Sequence, residues 1–244
     1  MRIGIIGRGT LGSALERGFE RHPHVRAIDG TTRASSARNR DVAEASDVVV
    51  VCVKPRDAAE VCTGIAPVLR NDQVLVSAVA SVDTAALHCW TGRRTRIVRV
   101  MPNTPARVTS AMTVLARTHE SCEEALEQTR ELFEKCGRTL VLDESLMDAV
   151  TAISGCGPAF IFVAIEALID AAIALGIPYE HARVLVAQTV LGSGRLVLEG
   201  DAHPGALKHE VTTPAGRTIR GLLELEDGKL RATLMKAAIA AAQR

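Results

Sequence analysis

Short apolar runs alternate with amphipathic segments over the first 144 positions. Arg2–Gly7, Val25–Thr31, Val48–Val53, Val74–Ala78, Arg96–Met101, Ala111–Ala116 and Thr139–Leu142 read as strands. Between most of them, Leu11–Arg21, Arg56–Leu69, Val82–Trp90 and Glu120–Lys135 place apolar residues at helical spacing. Unbroken runs such as Val48-Val49-Val50-Val51 suit strands covered on both faces, as in a parallel sheet with crossover helices. The pattern predicts an α/β, doubly wound domain over residues 1–144.

From Ser145 onward the strand signal stops. Met147–Ser154, Pro158–Leu175, Tyr179–Leu198, Thr218–Leu225 and Arg231–Ala242 all read as helix, punctuated by Gly155, Gly157, Gly176-Ile177-Pro178 and His203-Pro204-Gly205. A second, all-helical domain over 145–244 is expected. Phe160–Leu175 and His181–Leu198 are apolar around most of their circumference, so one copy leaves much of that surface wet. A homodimer is the expected remedy.

Composition narrows the partners. The 244 residues suit two domains at about 100–200 residues each, and with only 2% aromatics the core must be built from Ala, Val, Leu and Ile. Net charge is +1, from 29 basic and 28 acidic side chains, without a basic block to follow a phosphate backbone; nucleic acid is not an expected partner. Cys52, Cys62, Cys89, Cys122, Cys136 and Cys156 lack metal-ligand spacing, so reduced thiols and no metal site are expected. His22-Pro23-His24 reads as a surface turn. Glu166 and Asp170 interrupt the longest apolar stretch and no leader pattern opens the chain; the reading is a soluble, cytoplasmic protein with no membrane association.

Two loops carry candidate chemistry. Gly7-Arg8-Gly9-Thr10-Leu11-Gly12 follows a strand and precedes a helix, the context a dinucleotide-binding loop of the Rossmann type requires: glycines allow the tight turn and close approach, and the helix N-terminus faces the pyrophosphate. At the end of the second strand, Asp29 would suit the ribose hydroxyls of NAD, whereas the hydroxyl and guanidinium groups of residues 30–38 suit the phosphomonoester of NADP. NADP is preferred and NAD stays open. Lys54 and Asn103 end later strands at the same rim, and Pro102 and Pro105 stiffen the backbone beside Asn103. Far along the chain, Thr212-Thr213-Pro214-Ala215-Gly216-Arg217-Thr218 opens a helix whose free amides would hold a small anion.

Val53-Lys54-Pro55, residues 99–106, Thr151-Ala152-Ile153-Ser154-Gly155-Cys156-Gly157-Pro158-Ala159 and Val211-Thr212-Thr213-Pro214-Ala215-Gly216-Arg217-Thr218, in this order, resemble the pyrroline-5-carboxylate reductase family. The resemblance covers nearly the whole chain. It implies a Rossmann domain, a helical dimerisation domain whose dimers assemble further in many members, and NAD(P)H-dependent reduction of 1-pyrroline-5-carboxylate, a cyclic imine carboxylate, to L-proline. By motif position, Gly7, Arg8, Gly9, Thr10, Leu11 and Gly12 would hold the pyrophosphate, and Arg33 and Asn39 the adenosine side. Cys52, Val53, Lys54, Pro55, Val79, Ala80, Ser81 and Asn103 would line the cofactor cleft. Gly216, Arg217 and Thr218 would bind substrate. The chain has Cys156 where the family usually has Ser, glycine is usual at Ser81, Ala111 and Ala215, and a small residue or Thr is usual at Arg217. Residues 33–47 are also short for the helix and strand expected there.

An iminium carbon is already electrophilic, so orientation against the hydride donor is the main catalytic demand. Thr218 would hydrogen-bond the ring nitrogen or a water that delivers the proton. Three rivals stay open: a reductase of a related or larger cyclic imine, a hydroxyacid dehydrogenase, and a catalytically silent cofactor-binding paralogue. The hydroxyacid reading wants a lysine early in the second domain, and after Lys135 the next is Lys208.

Overall fold

The computed structural model describes residues 1–92 and 95–243. The chain forms two compact units, one built mainly from Met1–Pro158 and one from Ala159–Ala240. In the first, β1 (Arg2–Ile6), β2 (Ala27–Thr31), β3 (Val48–Val51), β4 (Val74–Ser77), β5 (Arg96–Met101), β6 (Ala111–Arg117) and β7 (Gly137–Asp143) form one sheet in the order β2-β1-β3-β4-β5-β6-β7. All seven expected strands are present. Helices α1 (Thr10–Phe19), α2 (Asn39–Glu44), α3 (Pro55–Ile65), α4 (Thr84–Thr91) and α5 (Glu123–Phe133) connect them.

The strand runs are apolar at successive positions because both faces are covered. Ile3, Ile5, Val48, Val50, Val76 and Val98 pack with Leu15, Phe19 and Phe133 on one side, and the alternate residues Val49, Val51, Leu75 and Ile97 pack with Cys62, Ile65 and Leu87 on the other. Phe19 and Phe133 meet edge to face at 5.1 Å.

Two connections depart from the expected α/β alternation. Residues 33–47 hold a short 3-10 turn, Arg33–Arg38, and α2, and β3 then pairs directly with β1; no further strand forms, in keeping with the short spacing. Residues 102–110 are fewer than the dozen or so a parallel crossover needs. A 3-10 turn (Thr104–Val108) fills that link, and β6 runs antiparallel to β5 with Val100 opposite Leu115.

After β7 the chain enters α6 (Met147–Val150) and a π-helical turn, Thr151–Gly155. Met147 and Val150 pack with Met101, Val114 and Ala116, so this first helical stretch belongs with the sheet. The break in strand signal at 144–145 marks the end of the sheet rather than of its core.

The second unit contains α7 (Gly157–Ala174, which begins just before the unit's start), α8 (Tyr179–Glu199), α9 (Pro204–Glu210), α10 (Arg217–Asp227) and α11 (Leu230–Ala242, which runs just past its end). Helix α9 was not anticipated: His203-Pro204-Gly205 reads as a break, yet proline at the first helical position and the His203 side chain accepting from the Gly205 N–H start a helix there. No described residue of α7 is buried, and α8 buries Ala182 and Val186. The helical run Glu144–Ala174 is also long and apolar enough to cross a membrane, with mean hydropathy 1.9 and 6% of its most apolar window buried among the described residues.

Candidate active site

The glycine loop is tied down by backbone geometry. The Gly7 and Arg8 N–H groups both donate to the Thr31 carbonyl, at 3.0 and 2.7 Å, joining the loop to the end of β2. Gly7 has φ +101°, and a Cβ there would stand 2.8 Å from the Cys52 carbonyl oxygen. A Cβ on Gly12 would stand 2.3 Å from the Gly7 carbonyl oxygen, whereas one on Gly9 would meet nothing within 4 Å. Gly9 is the N-cap of α1 and supplies no side-chain cap, so the Thr10, Leu11 and Gly12 amides have no intrahelical partner. An open mouth over three free amides at the positive end of a helix fits a pyrophosphate.

Around this cradle the side chains have mixed duties. Arg8 forms a forked ion pair with Glu16, its Nε at 3.0 Å from Oε2, and its stem lies across Gly30. The Asp29 carboxylate accepts from Gly30 N–H at 2.7 Å and from Arg38 Nη2 at 2.9 Å. Asn39 accepts the Thr31 hydroxyl at 2.6 Å. Arg33 is 80% exposed and 3.7 Å from Asp57, a loose contact that leaves its guanidinium to solvent. Thr32 and Ser35 cap each other in a reciprocal box beside it.

Cys52, Val53, Lys54 and Pro55 follow β3, with Lys54 exposed as the N-cap of α3 and Pro55 at its first position. Burial pushes the Cys52 thiol up to about 12, which keeps it protonated and apolar near neutral pH. Val79 is buried, Ala80 half-buried and Ser81 exposed in the loop after β4. Asn103 was expected in the cofactor cleft; its Oδ1 accepts from Met112 N–H at 3.0 Å and its Nδ2 donates to the Ser154 carbonyl at 3.0 Å. The amide thereby joins β6 to the π-helical turn and keeps one hydrogen for a ligand.

In the second unit, Gly216 N–H donates to the Thr213 carbonyl at 3.0 Å and a Cβ on Gly216 would stand 2.2 Å from Thr213 Oγ1. Arg220 Nη2 closes the turn on the Ala215 carbonyl at 3.2 Å. Gly216 caps α10 without a side-chain hydrogen bond, and Arg217 and Thr218 are exposed on its first turn. The glycine-loop residues thus lie in one unit and Gly216, Arg217 and Thr218 in the other. All six cysteines are free, and no group of three or more potential ligands for a metal occurs among the described residues.

Ser81 and Ala215 have φ +59° and +56°. These are two of the positions where the resembled family favours glycine, a signal that was present in the sequence but needed the backbone to interpret. A Cβ in this region costs about 1–2 kcal/mol, so Ser81→Gly and Ala215→Gly should each stabilise the protein by about 1 kcal/mol. Urea unfolding midpoints check this; a fall in both would mean that the side chains hold these turns.

Comparison with known proteins adds an independent finding. Residues 144–244 match the family described as pyrroline-5-carboxylate reductase dimerisation, and residues 2–81 match the one described as NADP oxidoreductase, coenzyme F420-dependent. The chain is 39% identical to the pyrroline-5-carboxylate reductase of Arabidopsis thaliana, over 100% of this chain and 94% of that protein. The Pisum sativum enzyme of the same name is 38% identical over 99% and 94%. The crystal structure of Plasmodium falciparum pyrroline carboxylate reductase with NADP bound superposes with a TM-score of 0.89 at 30% identity, covering 99% of this chain and 95% of that one.

Proposed function

Because the chain belongs to the pyrroline-5-carboxylate reductase family, we propose that it reduces 1-pyrroline-5-carboxylate to L-proline with NADPH, as a homodimer. The observation that carries the substrate assignment is the uncapped N-terminus of α10 behind Gly216, inside the motif that marks the family. Its free amides receive the substrate carboxylate, and the helix dipole adds to the attraction.

NADPH, when bound, supplies a hydride to the imine carbon. The chain holds and orients the two partners. The Thr10, Leu11 and Gly12 amides would take the pyrophosphate. Arg33 would hold the 2′-phosphate, with Asn39 on the adenosine side, and residues 52–55 and 79–81 would line the cleft. NADPH is favoured over NADH because Asp29 is already paired with Arg38, so a ribose hydroxyl would have to displace that pair, while the Arg33 guanidinium stands in solvent. The Thr218 hydroxyl would hydrogen-bond the ring nitrogen, or a water that gives it a proton, so that the nitrogen gains its proton as the carbon gains hydride. Cys156 takes no part, since hydride transfer needs no nucleophile.

The apolar surfaces of α7 and α8 support the dimer, as does the matched dimerisation family. Six free thiols fit a reducing compartment such as the cytoplasm. A second reading, reduction of a larger or more acidic cyclic imine, is favoured by Arg217 exposed at the first position of α10.

NADPH oxidation followed by absorbance tests the proposal, with five- and six-membered cyclic imine carboxylates compared in parallel. Faster turnover of the five-membered ring is expected. Binding of NADPH without reduction of either imine would instead identify a silent paralogue. In the same assay Thr218→Ala should lower kcat by about 10²-fold and leave the KM for NADPH unchanged; wild-type turnover would remove Thr218 from the mechanism.

A further inference from the structure

One oxygen of Glu144 gathers three donors. Its Oε1 accepts the Thr84 N–H at 2.8 Å, the Thr84 hydroxyl at 2.7 Å and Arg99 Nη1 at 3.3 Å. Arg99 is 2% exposed, and among the described residues its Nε and Nη2 have no hydrogen-bond partner, so the contact with Glu144 is what ties this buried guanidinium there. Thr84 is the buried first residue of α4, where a carboxylate also meets the positive end of the helix.

These contacts close a loop into a ring. The chain leaves β4 at Ser77, whose partner across the sheet is Arg99. It passes through residues 78–83 and arrives at Thr84, which is bonded to Glu144, which is paired with Arg99. Residues 79–81 form part of this ring, including Ser81 in its left-handed conformation, a geometry that persists only where the surroundings hold it. From Arg99 the same strand continues to Met101 and the Asn103 loop.

We infer that Glu144 is a positioning residue for the cofactor cleft: by pinning the start of α4 to Arg99 it sets the path of residues 79–81. The inference rests on the proposed reading of that loop as lining the NADPH site. It assigns Glu144 a duty that the sequence motifs did not single out, and it places Thr84 and Arg99 in the same device.

NADPH affinity, read by fluorescence titration, tests this without any need for turnover, so a wild-type chain that binds NADPH but reduces no imine would sink the proposed function and leave this test intact. Thr84→Val keeps the volume and loses the hydroxyl bond to Glu144; Thr84→Ser keeps the bond and loses a methyl group. Positioning predicts a dissociation constant raised about fivefold by Thr84→Val and near wild type for Thr84→Ser, whereas a packing role predicts the reverse order. Glu144→Ala removes all three bonds and should weaken NADPH by more than tenfold, and Glu144→Gln, which keeps an acceptor toward Thr84, should recover part of the loss. Because Glu144→Ala strands a buried charge, emission of Trp90, the single tryptophan and a residue of α4, verifies that the helix stays packed. Should that variant fail to fold, the Thr84 pair decides. Wild-type NADPH affinity in the folded variants, or Thr84→Ser weaker than Thr84→Val, overturns the inference.

Discussion

Replacing Gly12 by alanine is expected to abolish NADPH binding at concentrations that saturate the unaltered chain. The new methyl would stand 2.3 Å from the Gly7 carbonyl oxygen, and backbone cannot swing away as a long side chain can. Helix α1 must therefore move off the loop by a distance on the order of an ångström, a displacement that can cost about 10²-fold in function. Overpacking adds roughly 1–3 kcal/mol of lost stability. Gly9→Ala separates these two effects. Its Cβ meets nothing within 4 Å and its φ of −82° suits any residue, so folding should be unaffected. The methyl nevertheless stands at the mouth of the α1 amides, and NADPH should bind more weakly. Thermal unfolding and NADPH titration of both variants check the pair. Wild-type affinity in Gly12→Ala would overturn the pyrophosphate cradle.

Val163→Asp should convert the protein from dimer to monomer or aggregate, with loss of reductase activity. Val163 is 67% exposed within one chain and its neighbour Phe162 is 60% exposed, on a helix with no buried residue among those described. Burying such side chains is worth about 1.5–3 kcal/mol each. In a twofold-symmetric interface every substitution enters twice, so a charge placed there also counts twice. Light scattering coupled to gel filtration measures the mass, and the NADPH assay the activity. An unaltered dimer with normal turnover would exclude this part of α7 from the interface. The same preparation addresses the hydropathy of residues 144–174: a wild-type chain that stays dispersed without detergent as a dimer assigns the apolar surface to a second copy rather than to lipid.

The candidate site was legible in residue order to different degrees at different positions. Gly7, Gly9 and Gly12 were assignable because the requirement they meet, a turn between a strand and a helix, lies within a dozen neighbouring residues. Asp29 and Arg33 left the choice between NAD and NADP open; the ion pair of Asp29 with Arg38 appears only once the 3-10 turn brings the two side chains together. Asn103 was legible as a rigidly presented amide, but not its donor partner, the Met112 N–H, nor its acceptor partner, the Ser154 carbonyl 51 residues away. Glu144 gave no signal at all, because its partners Thr84 and Arg99 are 60 and 45 residues distant.

The amino-acid sequence alone determined the seven strands, nearly all the helices, the glycine loop and the change from α/β to all-helical structure at residue 145. Each of these follows from side-chain periodicity or from a turn's local demand on the backbone, and both are satisfied within a few residues. Only the tertiary structure decided that β6 runs antiparallel, that Ser81 and Ala215 occupy left-handed turns, that Glu144 closes the loop holding residues 79–81 into a ring, and that α7 has no buried residue among those described. Those outcomes depend on which distant segments meet, and pairing energies between such segments leave no periodic trace in the order of residues.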